Sequence, residues 1–70
     1  MTAPAAPRWI QPDGTPVSCT EKLRVLDENE AELRQVMQDA FDDAILIGVD
    51  ETRLRAWLAD MVAGLRSPRQ

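Results

Sequence analysis

The residues able to do chemistry in this sequence are few, and each has a plainer reading beside its chemical one. Cys19 stands at the expected first position of a helix, where backbone amides and the helix dipole favour a thiolate. That makes it a candidate reactive or redox-sensing thiol. It is the single cysteine, and the chain has no histidine, so neither an intramolecular disulfide nor a thiol–imidazole pair can form. Its plainer role is that of a small apolar residue on a helix seam. Asp39, Asp42 and Asp43 lie at i, i+3 and i+4, which puts three carboxylates on one helix face. Such a cluster can hold Mg²⁺ or Ca²⁺ or move a proton. Calcium sites usually draw on loop carbonyls as well, and helical di-iron sites use a Glu-x-x-His pair that is absent here. With Glu28 and Glu32 the three aspartates form an acidic face, better suited to solvent or to a basic partner.

Two tryptophans complete the inventory. Trp57 follows Arg53 by four residues, a spacing that allows a cation–π contact, but its plainer place is the helix–helix contact. Trp9 sits beside Ile10 in a proline-rich arm and either folds back onto a helix or anchors in another protein. There is no phosphate-cradling glycine loop, nucleophile elbow or metal-finger spacing. No catalytic residue, metal ligand or cofactor is therefore expected, and the chain reads as non-enzymatic.

The elements that position these residues follow from size and pattern. Seventy residues make one small domain, below the size at which a single core is comfortably stable alone. With disulfides and the usual zinc and iron ligand sets removed, stability falls to helix packing and association. A hydrophobic content of 44% against 29% charged residues belongs to a globular chain rather than a disordered one. No stretch approaches the ~20 apolar residues of a membrane span. Met1-Thr2-Ala3-Pro4 lacks the basic flank and apolar core of a secretory leader, so a cytoplasmic chain with a reduced thiol is expected. The net charge of −4 is unevenly spread. Between Asp27 and Glu51 the acids face one base, Arg34, whereas Arg53, Arg55, Arg66 and Arg69 follow against Asp60. So small a basic footprint disfavours direct nucleic-acid binding.

Residues 1–17 read as an extended, proline-rich arm with a β-turn at Gln11-Pro12-Asp13-Gly14. A helical hairpin domain over 18–66 follows, then a tail at 67–70. The first helix is expected over about 19–47, opened by a Ser18…Glu21 capping box. Its seam alternates by fours and threes through Cys19, Leu23, Leu26, Glu30, Leu33 and Met37, and widens beyond Leu33 with Val36, Phe41 and Ile45. Gly48 suits the left-handed position that ends a helix, Val49 the apolar contact after it, and Asp50 the N-cap of a second helix over about 51–65. At about 1.5 Å per residue the two helices differ roughly two-fold in length. The second helix therefore reaches back only to about Leu33.

The expected fold is all-α: a helical hairpin with an N-terminal arm, completed by dimerisation into a four-helix bundle. A sharp corner at 48–50 is the alternative to the hairpin. Leu33, Val36, Met37, Ala40, Phe41, Ala44, Leu54, Trp57, Leu58, Met61, Val62 and Leu65 would form the bundle's core. The functional expectation is an accessory or adaptor protein that binds a larger protein, or a second copy, through the long helix and arm. Trp9, Ile10, Leu23, Leu26, Glu30 and Leu33 are the candidate partner-binding residues. One alternative is an acidic DNA mimic or anti-regulator acting through Glu28, Glu32, Asp39, Asp42 and Asp43. Another is a thiol- or metal-dependent enzyme component using Cys19 or the aspartates.

Overall fold

A computed structural model describes residues 8–69; residues 1–7, the beginning of the proline-rich arm, lie outside them. Two helices, α1 over Thr20–Ile47 and α2 over Glu51–Ala63, account for 66% of the described residues, and there is no strand among them. The chain divides into two compact units, Met1–Arg34 and Gln35–Gln70.

In the first unit the chain reverses before the helix. The Gly14 N–H donates to the Gln11 carbonyl at 2.9 Å, the Gln11 N–H to Thr15 at 2.8 Å, and the Val17 N–H to Trp9 at 2.9 Å. Gly14 takes φ +88°, a value that favours glycine. The Asp13 carboxylate accepts from the Thr15 hydroxyl at 2.7 Å and its amide at 3.0 Å, which holds the carboxyl below its ordinary pKa. Pro16 has no N–H to give, so pairing is limited to one antiparallel bridge, Ile10 with Pro16.

α1 begins one residue later than the spacing predicts. The Leu23 N–H donates to the Cys19 carbonyl, so Cys19 rather than Ser18 occupies the N-cap position. No bond joins Ser18 to Glu21 among the described residues; Glu21 instead pairs with Arg24, one helical turn on. The capping box expected at Ser18 is therefore not formed.

The second unit holds the end of α1, the junction and α2. Gly48 takes φ +111° and gives its N–H to Ile45 at 3.1 Å, while the Val49 N–H reaches Ala44 at 2.9 Å. Those two bonds are the Schellman pair that satisfies the last carbonyls of a helix. Asp50, extended at φ −62° and ψ 128°, accepts the Arg53 amide on its side chain at 2.9 Å and so caps α2. α2 stops at Ala63, short of the expected Leu65. Gly64 gives its N–H to Asp60 and serves as the C-cap, in keeping with the low helix propensity of glycine.

The helices meet along a narrow line. Leu54 is the one buried residue among those described, at 5% exposure, with Phe41, Ala44 and Leu58 half-buried and Arg55 lying 4.8 Å over the Phe41 ring. The cation–π contact therefore joins Arg55 to Phe41, whereas the spacing of Arg53 and Trp57 only allows one between those two. Trp57, expected at the helix contact, is 55% exposed. The reason is geometric. Leu54 and Leu58, four apart, fill the line facing α1, and Trp57 lies a sixth of a turn to one side of Leu54. Two helices cover only about one residue per turn on each, so the flanks of a broad apolar stripe stay in solvent.

Candidate functional site

Two surfaces stand out, one in each unit. The first is the seam on the early part of α1. Its residues Leu23, Leu26 and Glu30 are half-buried. Three contacts from the arm end on two carboxylates beside that seam. The Trp9 indole N–H donates to Asp27 Oδ1 at 3.0 Å, and the Arg8 guanidinium approaches the same oxygen at 3.7 Å. Arg8 also pairs with Glu30, which Arg34 meets from the next turn at 3.2 Å. Asp27 and Glu30, three residues apart, lie on one helix face, so a single short segment can grip both. The Arg8 ion pair, helped by Arg34, holds the Glu30 carboxyl below its ordinary pKa against an opposing contribution from burial.

Beside the arm, Val17, Glu21, Lys22, Val25 and Leu26 border an open groove of about 430 Å³. Val17 and Leu26 are half-buried, whereas Val25 is exposed. The candidate partner-binding residues therefore divide. Trp9, Leu23, Leu26 and Glu30 belong to the arm-covered seam, while Ile10 and Leu33 point to solvent. Arg8 and Asp27 are functional neighbours that sequence reasoning missed. Their signal was the aromatic–cation pair Arg8-Trp9 set against acids at Asp27 and Glu30, legible only once the arm is known to turn back.

A pH response follows with a definite sign. Because the folded Glu30 carboxyl titrates below its ordinary range of about 4.3, the arm contact is complete above that range. The Glu30 part of it is lost as pH falls through the folded value. The Trp9 indole N–H resonance, identified by its loss in Trp9→Phe, is expected to move toward the solvent-exposed position as the medium is acidified below about pH 4. Asp27→Ala, which removes the acceptor of the indole N–H, should show the released position already at neutral pH. A Trp9 resonance unchanged by either treatment would refute the contact of the arm with α1.

The second surface is the apolar flank of the Gln35–Gln70 unit. On α1, Val36 is 66% and Ile47 82% exposed, with Ala40 also exposed between them; on α2, Trp57 and Met61 are about half exposed. Among the described residues these large apolar side chains stay open to solvent along both helices.

The remaining candidates are dispersed. Cys19 is exposed, and the amides of Lys22 and Glu21 hold its thiol below the ordinary value. No acidic or thiol partner joins it. Glu28, Glu32, Asp39, Asp42 and Asp43 are all exposed. Gln35 donates to Asp39 at 2.9 Å and Gln38 to Asp42 at 2.8 Å, each one turn along the helix. Among the described residues no three His, Cys, Asp or Glu groups converge as a metal-ligand set, and no helix is long and apolar enough to cross a membrane. One surface offers open apolar side chains, the other carboxylates gripped by an arginine and an indole N–H. No protein-family model, curated protein or solved structure matches this chain, so the surfaces themselves carry the functional argument.

Proposed function

We propose that this chain is a small non-enzymatic accessory or adaptor protein whose work is to bind another protein chain through its long helix. The observation that carries the reading is the contrast between the one buried residue among those described, Leu54, and the run of large apolar side chains left open on both helices. Folding that buries one leucine forms too small a core to hold 70 residues together. A partner that covers the open flank of α1 and α2 supplies the missing burial, and an α-helical partner fits, because residues four apart on a helix present a groove for another helix. Completion of the hairpin as a four-helix bundle belongs to this reading. The arm is already engaged with Asp27 and Glu30, so the docking surface moves from the early seam to the flank beyond Leu33.

The test is the dependence of stability on association. Urea unfolding of the purified chain should give a midpoint that rises with protein concentration or on adding the partner. A photo-crosslinking residue at Val36 or Met61 should form adducts that one at Glu28 does not. A chain that unfolds cooperatively as a lone monomer, at a midpoint independent of concentration and without crosslinks from Val36, would end the proposal.

The acidic ridge supports a second reading, an anti-regulator that imitates a row of phosphates. Glu28, Glu32, Asp39, Asp42 and Asp43 make no ion pair among the described residues, which leaves them open to a basic surface. Binding of a basic target that survived reversal of Asp39 and Asp42 to lysine would exclude it.

A further inference from the structure

The open flank of the Gln35–Gln70 unit has a pattern that narrows what can cover it. On α1, Val36, Ala40, Asp43 and Ile47 follow one another at intervals of four, three and four, so they form one strip along the helix. On α2, Arg53, Trp57 and Met61 follow at intervals of four and form another. Each strip is apolar with one charge in it, and the charges are opposite. Asp43 makes no ion pair among the described residues. Arg53 has only a 3.9 Å approach to Asp50 and a side chain 87% exposed.

We propose that the occupant of this flank is a second copy of the same chain, docked so that the α1 strip of each copy lies on the α2 strip of the other. The pairing rests on the interaction-module reading above and names its partner. A two-fold interface requires that what one copy presents be complementary to what it receives. These strips meet that requirement twice: Val36, Ala40 and Ile47 against Trp57 and Met61 for burial, and Asp43 against Arg53 for charge. The small Ala40 leaves room for a bulky neighbour such as the Trp57 ring.

A stable dimer takes about 800 Å² or more from each partner, and the large apolar side chains open on both helices are what would supply it. A copy of the chain is also the one partner present at matching concentration wherever the chain is made.

The experiment uses the full chain with Cys19→Ser, which removes the native thiol. Val36→Cys and Met61→Cys proteins are prepared separately and then mixed under mild oxidation. The expected result is a mixed disulfide that forms faster in the mixture than either homodisulfide forms alone. A mixture of Glu28→Cys with Met61→Cys should give none above background. Sedimentation equilibrium should show a dimer in the unmodified chain. Asp43→Arg should weaken it roughly ten-fold or more, and adding Arg53→Asp to that variant should restore it.

A folded monomer at all concentrations would overturn the homodimer. If Val36 then still crosslinked to another protein, the interaction-module reading would survive with a different partner; if it did not, both would fall. A dimer in which Asp43→Arg is silent and Val36 crosslinks only to Val36 would overturn the strip-to-strip arrangement.

Discussion

Replacing Leu54 with alanine is expected to remove most of the stability of the folded state at room temperature. Among the described residues Leu54 is the one that reaches core burial, at 5% exposure, in the unit where Phe41 and Ala44 are half-buried. Truncating a buried leucine costs about 2–5 kcal/mol, through lost transfer energy and the cavity left behind. A chain of this length has a total margin of roughly 4–10 kcal/mol, and one with so small a core stands at the low end. The substitution therefore removes a large share of the whole margin. Far-UV circular dichroism with urea titration checks it. Leu46→Ala is the matched control, because Leu46 lies on the same unit at 85% exposure and should cost no more than about 0.5 kcal/mol. Equal losses in the two variants would show that Leu54 is not the centre of the fold.

Valine at Gly48 is expected to have the second largest effect. Gly48 takes φ +111°, outside the range that β-branched residues adopt. A Cβ placed there meets nothing within 4 Å, so the penalty is in the backbone rather than in a clash. Holding a non-glycine residue in such a conformation costs about 1–3 kcal/mol. The chain can escape only by giving up the bonds from Gly48 and Val49 to Ile45 and Ala44, which end α1 and aim the chain into Asp50. Urea midpoints should fall in the order Gly48, Gly48→Asn, Gly48→Ala, Gly48→Val, since asparagine tolerates positive φ better than other residues and valine worst. A Gly48→Val chain as stable as the parent would mean the junction can be rebuilt without the left-handed turn.

What could be read from the sequence was what is local. Gly48 and Asp50 mark the stop and start because both bond within five residues of themselves, so the composition of a short window determines the outcome. The two-helix, all-α architecture followed from those signals and from the apolar spacing on either side. Even a local signal failed at the start of α1. Ser18 has the better capping hydroxyl, yet Cys19 takes the position. Trp57 was misplaced for a different reason: periodicity shows that a stripe is apolar but not how much of its width one neighbouring helix can cover. The grip of Arg8 and Trp9 on Asp27 and Glu30 joins residues 18 to 22 positions apart, and nothing in the pattern of the helix announces it. Of the candidate surface, the residue types were legible and their pairings were not.

The junction between α1 and α2 also bears on the order in which the molecule comes together. Its Schellman bonds and the Asp50 cap all close within a few residues, so they carry almost no loop-closure entropy and form on the timescale of a helix turn. The two helices are thus aimed before their side chains meet. If another chain covers the open flank as proposed, such a short-range nucleus leaves their collision as the slow event, and the rate of becoming folded follows how often the two meet.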